Sequence, residues 1–166
     1  MPFWIRESTL APLRRKPRLF AALFFGLALL AACGGNRRSL FGGDITVATR
    51  IDPRANQDNA IAVELVVVYD KKLLEQLLAL PAREWFKRRE QIRRDYPDNE
   101  GFVSWKWEWV PGQEVPPREL SFGVGVRGGI VYADYLSEGD HRARIDPHQS
   151  FTIVLGEKEF LTEPLP

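Results

Sequence analysis

The only cysteine of the chain follows an apolar run, and its position limits how much of the sequence can belong to a folded domain. The run covers residues 19–30, follows a basic cluster, and leads directly into Ala31-Ala32-Cys33. As a helix it would extend about 18 Å, which is too short for the roughly 30 Å hydrocarbon core of a membrane. A basic segment, a short apolar run and small residues are typical of a secretory signal peptide. The sequence therefore predicts that residues 1–32 are a signal peptide, outside the folded domain.

The four residues Leu30, Ala31, Ala32 and Cys33 resemble the bacterial lipobox. That resemblance implies cleavage before Cys33, diacylglycerol on its thiol, and a further acyl chain such as palmitate on the new amino terminus. One acyl chain anchors only marginally, whereas several anchor stably. Gly34 follows the cysteine where an Asp would indicate inner-membrane retention. The resemblance thus implies attachment to outer-membrane lipid through Cys33, facing the periplasm; the alternative is a buried cysteine at the end of a signal anchor.

Length, composition and charge limit what the remaining chain can be. The full sequence of 166 residues is enough for one ordinary domain, and a single cysteine excludes an intramolecular disulfide. Residues 33–43 are predicted to form a lipid-anchored flexible tether, and residues 44–166 the domain. Residues 1–32 hold five basic residues and one acid, so the rest holds 18 basic residues and 21 acids. A slightly acidic body argues against nucleic acid as a partner, because such binding needs clustered positive charge.

The domain has the pattern of a mainly β protein. Residues 45–51 alternate as a half-buried strand does, and residues 60–69 are nearly continuously apolar, which predicts a central strand covered on both faces. Further strands are predicted at residues 102–110, 120–126, 129–135 and 150–155. Leucines at helical spacing over residues 73–78, and then residues 84–94, predict a short helical insertion. The sequence therefore predicts a small β-sandwich with a helical insertion.

The second helical piece carries an unusual amount of positive charge. Residues 83–94 contain six basic residues and two acids. The helical spacing puts Trp85, Phe86, Arg89, Ile92 and Tyr96 on one side, and Lys87, Arg88, Arg93 and Arg94 on the solvent side. Two interpretations stay open: a solvated helix face, or contact with anionic lipid headgroups or an acidic partner.

Three tryptophans alternate along one predicted strand. Trp105, Trp107 and Trp109 share one face, and Lys106 and Glu108 share the other. The charged row favours a core position for the tryptophans. The alternative is a stacking platform, which would make the protein a lipid-anchored glycan- or peptidoglycan-binding module.

Features that could support chemistry are weak. His141 lies near Asp134, Asp140 and Asp146 in turn-rich sequence, but without the spacing of metal ligands and without a nucleophile motif. The glycine-rich residues 123–129 lack the Lys-Ser/Thr of a phosphate loop, which favours a bulge or a hairpin. The sequence therefore predicts no enzyme, no metal site and no cofactor.

The order of features along the chain resembles the TssJ family, the outer-membrane lipoproteins of the bacterial type VI secretion system. The matching stretches are short: Ile51-Asp52-Pro53, Val63–Tyr69, Val110-Pro111-Gly112 and Gly129–Ala133. The chain departs from the family at Gln57–Ala60, where a Gly-Arg-Pro-Ser-type run is expected, and in its longer, more basic helix. It is thus similar to a divergent member.

That resemblance implies a transthyretin-like β-sandwich without enzymatic activity. It implies a role in anchoring and positioning the periplasmic domain of the inner-membrane core component TssM at the outer membrane. The contacts would come from two loops, residues 53–59 and 137–145. The residues expected to bind the partner are Asp52, Pro53, Arg54, Asn56, Asp58, Asn59, Glu138, Asp140, His141 and Arg142.

Overall fold

Eight strands and two helices follow one another along the residues that the computed structural model describes, 42–96 and 100–165. The strands are β1 Gly43–Ile51, β2 Ile61–Val68, β3 Phe102–Trp109, β4 Arg118–Phe122, β5 Gly128–Ala133, β6 Arg142–Ile145, β7 Phe151–Leu155 and β8 Phe160–Pro164. The helices, α1 Lys71–Leu78 and α2 Ala82–Asp95, form one insertion between β2 and β3. The lipobox residues Leu30, Ala31, Ala32 and Cys33, and most of the predicted tether, lie outside the described residues.

The strands form two four-stranded sheets, which confirms the mainly β prediction. One sheet has the order β4-β1-β7-β8, with β1 and β7 parallel, and the other has the order β3-β2-β5-β6, with every pair antiparallel. The buried core between them includes Ile45 and Val47 from the first sheet and Val63, Leu65 and Val67 from the second. The helical insertion is confirmed as well.

Strand β2 lies between β3 and β5 and is covered on both faces, as its continuous apolar sequence predicts. Because side chains alternate along a strand, Val63, Leu65 and Val67 belong to the core between the sheets. Val66 and Val68 belong to a second apolar cluster with the two helices. This second core holds the helices against the outer face of the β3-β2-β5-β6 sheet.

Local hydrogen bonds fix both ends of α1 and the start of α2. The Asp70 carboxylate accepts from the backbone N–H of Leu73 at 2.7 Å, which caps α1. The Tyr132 hydroxyl donates to the carbonyl of Leu77 at 2.6 Å, near the end of α1. The backbone N–H of Ala82 donates to the carbonyl of Asp140 at 2.8 Å. The helices are therefore attached to β5 and to the loop that follows it.

Several predicted boundaries are wrong. The strand predicted at residues 120–126 begins at Arg118 and ends at Phe122. The glycine-rich stretch after it is neither a bulge nor a hairpin, because β4 pairs with β1 while β5 pairs with β2 in the other sheet. Residues 142–145, predicted as loop, form β6, and β8 was not predicted.

The connections between strands divide between the two ends of the sandwich. At one end, here called the loop end, lie the links β1–β2, β3–β4, β5–β6 and β7–β8. At the other, the amino-terminal end, Gly43 pairs with Phe122 and Val68 pairs with Phe102 and Gly128. There the Tyr69 hydroxyl accepts from the backbone N–H of Gly123 at 3.0 Å. Neither described helix is long and apolar enough to cross a membrane.

Candidate functional site

The loop end is organised around the buried side chain of Asn56, in the loop between β1 and β2. Asn56 is 1% exposed. Its amide nitrogen donates to the carbonyl of Ala60 at 2.9 Å, and its amide oxygen accepts from the backbone N–H of Leu136 at 2.8 Å. The two loops that the sequence predicts as a partner surface are thus joined by one asparagine.

The backbone around Asn56 adopts a conformation that is unfavourable by itself. Three consecutive residues, Asn56, Gln57 and Asp58, have φ values of 49°, 56° and 63° in a short 3-10 turn. Consecutive left-handed non-glycine residues persist only where the surroundings hold them. The backbone N–H groups of Asn56 and Gln57 donate to the carbonyls of Gly156 and Glu157, each at 3.2 Å. The β7–β8 hairpin therefore stabilises the strained turn.

Tyr135 connects the same hairpin to the β5–β6 loop. Its hydroxyl lies 3.1 Å from the carbonyl oxygen of Gly156 and 3.0 Å from that of Glu159. Its ring stacks on His141, with ring centres 4.8 Å apart, and on Phe160 at 6.5 Å. Burial raises the pKa of Tyr135 well above its usual value. The ring and its hydroxyl thus hold the β5–β6 link and the β7–β8 hairpin together.

A polar cleft of about 640 Å³ opens between the β5–β6 loop and the β7–β8 hairpin, lined by residues 137–142 and 158–160. The Ser137 hydroxyl donates to the carbonyl of Lys158 at 2.5 Å, and Nε2 of His141 lies 3.0 Å from the carbonyl oxygen of Ser137. Arg142 forms an ion pair with Asp140 at 2.7 Å. His141 has a left-handed backbone conformation, with φ at 42°. Its contacts with Ser137 and Tyr135 give it a structural role in the β5–β6 loop.

The predicted partner residues fall into three groups. Those exposed at the loop end are Asp52, Pro53, Arg54, Asp58, Asn59, Glu138 and Asp140. His141 and Arg142 are half-buried, and Arg142 lies on β6 and not in a loop. Asn56 is buried, and its amide is used within the protein. The predicted residues thus lie together at the loop end, but Asn56 lacks the exposure that a direct partner contact needs.

Sequence reasoning missed other residues at this end. Leu136 and Val110 are large, exposed apolar side chains, 59% and 54% exposed, in the β5–β6 and β3–β4 links. Glu157 and Lys158 are exposed at the tip of the β7–β8 hairpin. The glycine after the apolar residues 151–155 was the available signal for this turn.

The basic helix α2 is held down by a buried acid. Glu64, 0% exposed, lies on the outer face of β2. Its carboxylate accepts from Nε1 of Trp85 at 3.1 Å, from the guanidinium groups of Arg89 at 3.0 Å and Arg93 at 3.3 Å, and from the Ser104 hydroxyl at 2.7 Å. The prediction that Arg93 faces solvent is wrong, because its guanidinium turns toward this carboxylate.

Other acids neutralise part of the remaining positive charge. Glu84 pairs with Lys87 at 3.0 Å, and Glu90 pairs with Lys106 of β3 at 3.2 Å. The hydrogen bond from Lys106 lowers the pKa of Glu90. The six basic residues of this segment therefore do not form one uniform cationic surface.

The tryptophan face is part of the core, as favoured by the sequence. Trp109 is 4% exposed and stacks on Trp107, with ring centres 5.3 Å apart. Trp105 and Trp107 are half-buried and pack against the core between the sheets, whereas Lys106 and Glu108 are exposed. Such an arrangement does not favour a flat platform for a sugar ring. Within residues 42–96 and 100–165, no group of three or more His, Cys, Asp or Glu side chains could hold a metal ion.

Solved structures share this fold. TssJ1 of Pseudomonas aeruginosa, a type VI secretion lipoprotein, matches with a TM-score of 0.55 and 12% identity, over 75% of this chain and 98% of its own. Lip of Serratia marcescens, a membrane-bound component of the type VI secretion system, matches with a TM-score of 0.55 and 14% identity, over 75% and 99%. A chain of a type VI membrane complex matches with a TM-score of 0.55 and 12% identity, over 77% and 100%.

No family model matches the sequence, and no curated protein matches it significantly. The likeness lies in the three-dimensional arrangement, at identities too low to carry residue roles from one chain to the other. Each of the three structures is matched over almost its whole length. The resemblance stated from the sequence is thus confirmed for the fold: the chain has the β-sandwich of the type VI secretion lipoproteins.

Proposed function

We propose that this protein is an outer-membrane lipoprotein that anchors and positions a periplasmic component of a type VI secretion membrane complex. The observation that carries the proposal is the division of the sandwich into two ends. The fold shared with TssJ1 and Lip supports the same assignment. The proposal involves no enzymatic step and no cofactor.

The amino-terminal end suits an anchor. Strand β1 begins at Gly43, ten residues after Cys33, in a segment of polar and glycine-rich composition. We propose that Cys33 carries the lipid and that the tether predicted at residues 33–43 ends at residue 42, because Gly43 belongs to β1. Nine residues of β1 cover about 30 Å, so the loop end lies about that far from Gly43, where β1 begins.

The loop end suits a partner. Its connections are fixed to one another through Asn56 and Tyr135, so little conformational entropy remains to be lost on binding. The loop end exposes charges of both signs, including Arg54, Asp58 and Glu138, together with the apolar side chain of Leu136. Protein interfaces ordinarily combine apolar and polar surface in this way. We propose that this end binds the periplasmic domain of the TssM-like inner-membrane component.

The anchor is tested with Cys33→Ser. We expect the variant to leave the outer-membrane fraction for the soluble periplasmic fraction, because no acyl chain can attach. Ser39→Ala, in the same segment, is the control and stays in the membrane. Retention of the Cys33→Ser protein in the outer membrane would show that the lipid assignment is wrong.

The partner is tested by co-purification with the periplasmic domain of the TssM-like protein. We expect the wild-type chain to retain it, and the double substitution Arg54→Glu with Asp58→Lys to weaken retention by at least about tenfold. Gln149→Ala, in the β6–β7 link at the opposite end, is the matched control. Equal retention by the loop-end variant and the wild type would contradict the assignment of this surface.

A further inference from the structure

Strand β3 differs from the other edge strands of the sandwich. Two four-stranded sheets give four edges, and three are short: β4 and β8 have five residues each and β6 has four, whereas β3 has eight. Pro116-Pro117 precede β4, and Pro164 ends β8. Short strands and prolines at edges prevent unwanted strand pairing. The β3 edge has neither protection.

The outer side of β3 is open for a further strand. Its backbone pairs with β2 from Phe102 to Trp109. Within the described part of the chain, no other hydrogen bond to the backbone of residues 102–109 is present. The backbone groups that point away from β2 therefore remain available to another strand.

The sequence of this edge is complementary to itself. In an antiparallel pair of two β3 strands centred on Trp107, Lys106 of each copy lies opposite Glu108 of the other. Both side chains are exposed on the same outer face of the strand, and Lys106 also bonds Glu90 of α2 at 3.2 Å. A lysine shared between Glu90 and Glu108 of the second copy gives two opposite-charge pairs across the two-fold axis. We infer that β3 is a self-association surface, through which two copies of this chain join their β3-β2-β5-β6 sheets into one eight-stranded sheet.

The inner face of the same strand supports this pairing. Trp105 and Trp107 are half-buried in the single chain, although they pack against its core. In the centred register, Trp107 meets Trp107 of the second copy, and Trp105 lies opposite Trp109. Cross-strand aromatic pairs stabilise antiparallel sheets. The second copy would also bring its Ser104 opposite Val110, whose side chain is 54% exposed.

The pairing leaves the amino-terminal end of each sandwich free. At the loop end only the β3–β4 link, which contains Val110, lies beside the second copy, and the first residues of β1 take no part. An antiparallel pair directs the two amino-terminal ends in opposite directions. The ten residues 33–42 span at most about 36 Å when extended, whereas the two β3 strands in the centred register begin about 34 Å apart along the strand direction. Two copies in one membrane can therefore both stay attached.

The experiment is a charge exchange, with the full-length chain in detergent and mass measured by light scattering after gel filtration. We expect the wild type to be a dimer at about 100 µM. Glu108→Lys leaves like positive charges opposite each other across the pair, and Lys106→Glu leaves like negative charges there. Each variant should therefore associate at least about tenfold more weakly than the wild type. Mixing the two variants places opposite charges across the pair again and should restore a dimer.

The mixture distinguishes weaker association from a folding defect, because two unfolded variants would not form a dimer when they are mixed. Lys158→Glu, in the β7–β8 hairpin, is the control and should dimerise like the wild type. A monomeric wild type at about 100 µM, or single variants that dimerise as well as the wild type, would overturn the proposal. So would a mixture that stays monomeric while both variants are folded by circular dichroism. The result does not depend on the secretion partner, so it is distinct from a failure of the proposed function.

Discussion

Two buried polar residues hold the two regions that extend beyond the sheets, and they do so by different means. Glu64 fixes helix α2 to the β3-β2-β5-β6 sheet with side-chain donors from Trp85, Arg89, Arg93 and Ser104. Asn56 fixes the loop end with backbone groups of Ala60 and Leu136. The polar attachment of α2 thus adds charge to the apolar core beneath the helices, whereas the loop end is held by neutral hydrogen bonds.

The difference has a physical consequence. A buried carboxylate loses its hydration, and only its paired cations and hydrogen bonds compensate. A buried neutral amide has a much smaller desolvation energy. When it is removed, the groups left without a partner are neutral, so the loss of stability is smaller than for unpaired charges. We therefore expect the helix layer to be more sensitive to a single substitution, and the loop end to be affected mainly in partner binding.

The largest effect is expected from Glu64→Ala. It leaves the guanidinium groups of Arg89 and Arg93 beside an apolar surface without their carboxylate, and breaking a buried pair in this way costs about 3–5 kcal/mol. Urea unfolding of the variant and the wild type measures this loss of stability. Glu75→Ala, at an exposed site on α1, is the control and should change stability by less than about 0.5 kcal/mol. If Glu64→Ala lowered the free energy of unfolding by less than about 1 kcal/mol, the helix layer would be no more sensitive to a single substitution than the loop end.

A smaller effect is expected from Asn56→Ala. The backbone N–H of Leu136 and the carbonyl of Ala60 lose their partner, and the left-handed turn becomes less favourable. Together these changes should lower the free energy of unfolding by about 1–3 kcal/mol. Hydrogen exchange at the Leu136 amide should accelerate, while exchange in α2 stays unchanged. Gln149→Ala removes an exposed amide in the β6–β7 link, away from this turn, and serves as the control. Faster exchange in α2 would show that the two regions are not independent.

Alkaline pH should lower the stability of both regions, because each contains one buried tyrosine hydroxyl. Burial raises the pKa of Tyr132, whose hydroxyl bonds to α1, and the pKa of Tyr135 at the loop end. Because the folded pKa values are raised, this stabilisation is present in full below the ordinary tyrosine pKa of about 10, and is lost as pH rises through the folded values. Urea unfolding should show falling stability above about pH 10.

The phenylalanine variants separate the two tyrosines. Tyr132→Phe and Tyr135→Phe should each lose about 1 kcal/mol at neutral pH and show a shallower decline in alkali. An unchanged alkaline decline in both variants would contradict the assignment to these hydroxyls.

The smallest effect concerns the link between α2 and β3. Lys106→Met should raise the pKa of Glu90 toward its usual value, because the hydrogen bond that lowers it is lost. A nuclear magnetic resonance titration of the Glu90 carboxyl carbon measures the change. With Lys106 present, the pair stabilises the fold above the ordinary glutamate pKa, and this contribution disappears as pH falls through the lowered value. Lys71→Met, which removes a different helix pair, should leave the Glu90 titration unchanged.

The sequence predicted those parts of the fold that depend on local pattern. The apolar continuity of residues 60–69 predicted a central strand, and the leucine spacing of residues 73–78 predicted a helix. Strands β6 and β8 were missed because β6 has four residues, two of them arginines, and because β8 contains a glutamate and ends in proline. Such strands form because β5 and β7 offer an edge, which is tertiary information.

The polar interior could not be predicted in the same way. Glu64 stands in a run of apolar residues, and its donors follow 21, 25, 29 and 40 positions later. Helical periodicity alone placed Arg93 in solvent, because a periodicity cannot show which acid lies beneath the helix. The left-handed turn at Asn56 depends on carbonyls of residues 156 and 157, about a hundred positions away. For the predicted partner surface, loop composition grouped residues that lie at one end of the molecule, but it did not show which of their side chains are exposed.

The parallel pairing of β1 with β7 has a consequence for the order of folding. Strand β1 has only β4 and β7 as neighbours, and both come after the helical insertion in the chain. Strands β2, β3, β5 and β6 can assemble without it, whereas β1 must wait for strands that lie more than 60 residues later. In a chain exported from its amino terminus, β1 would emerge among the first strands and be paired among the last. Under the proposed anchoring, the strand that joins the tether can therefore bear force only after β4 and β7 have paired with it.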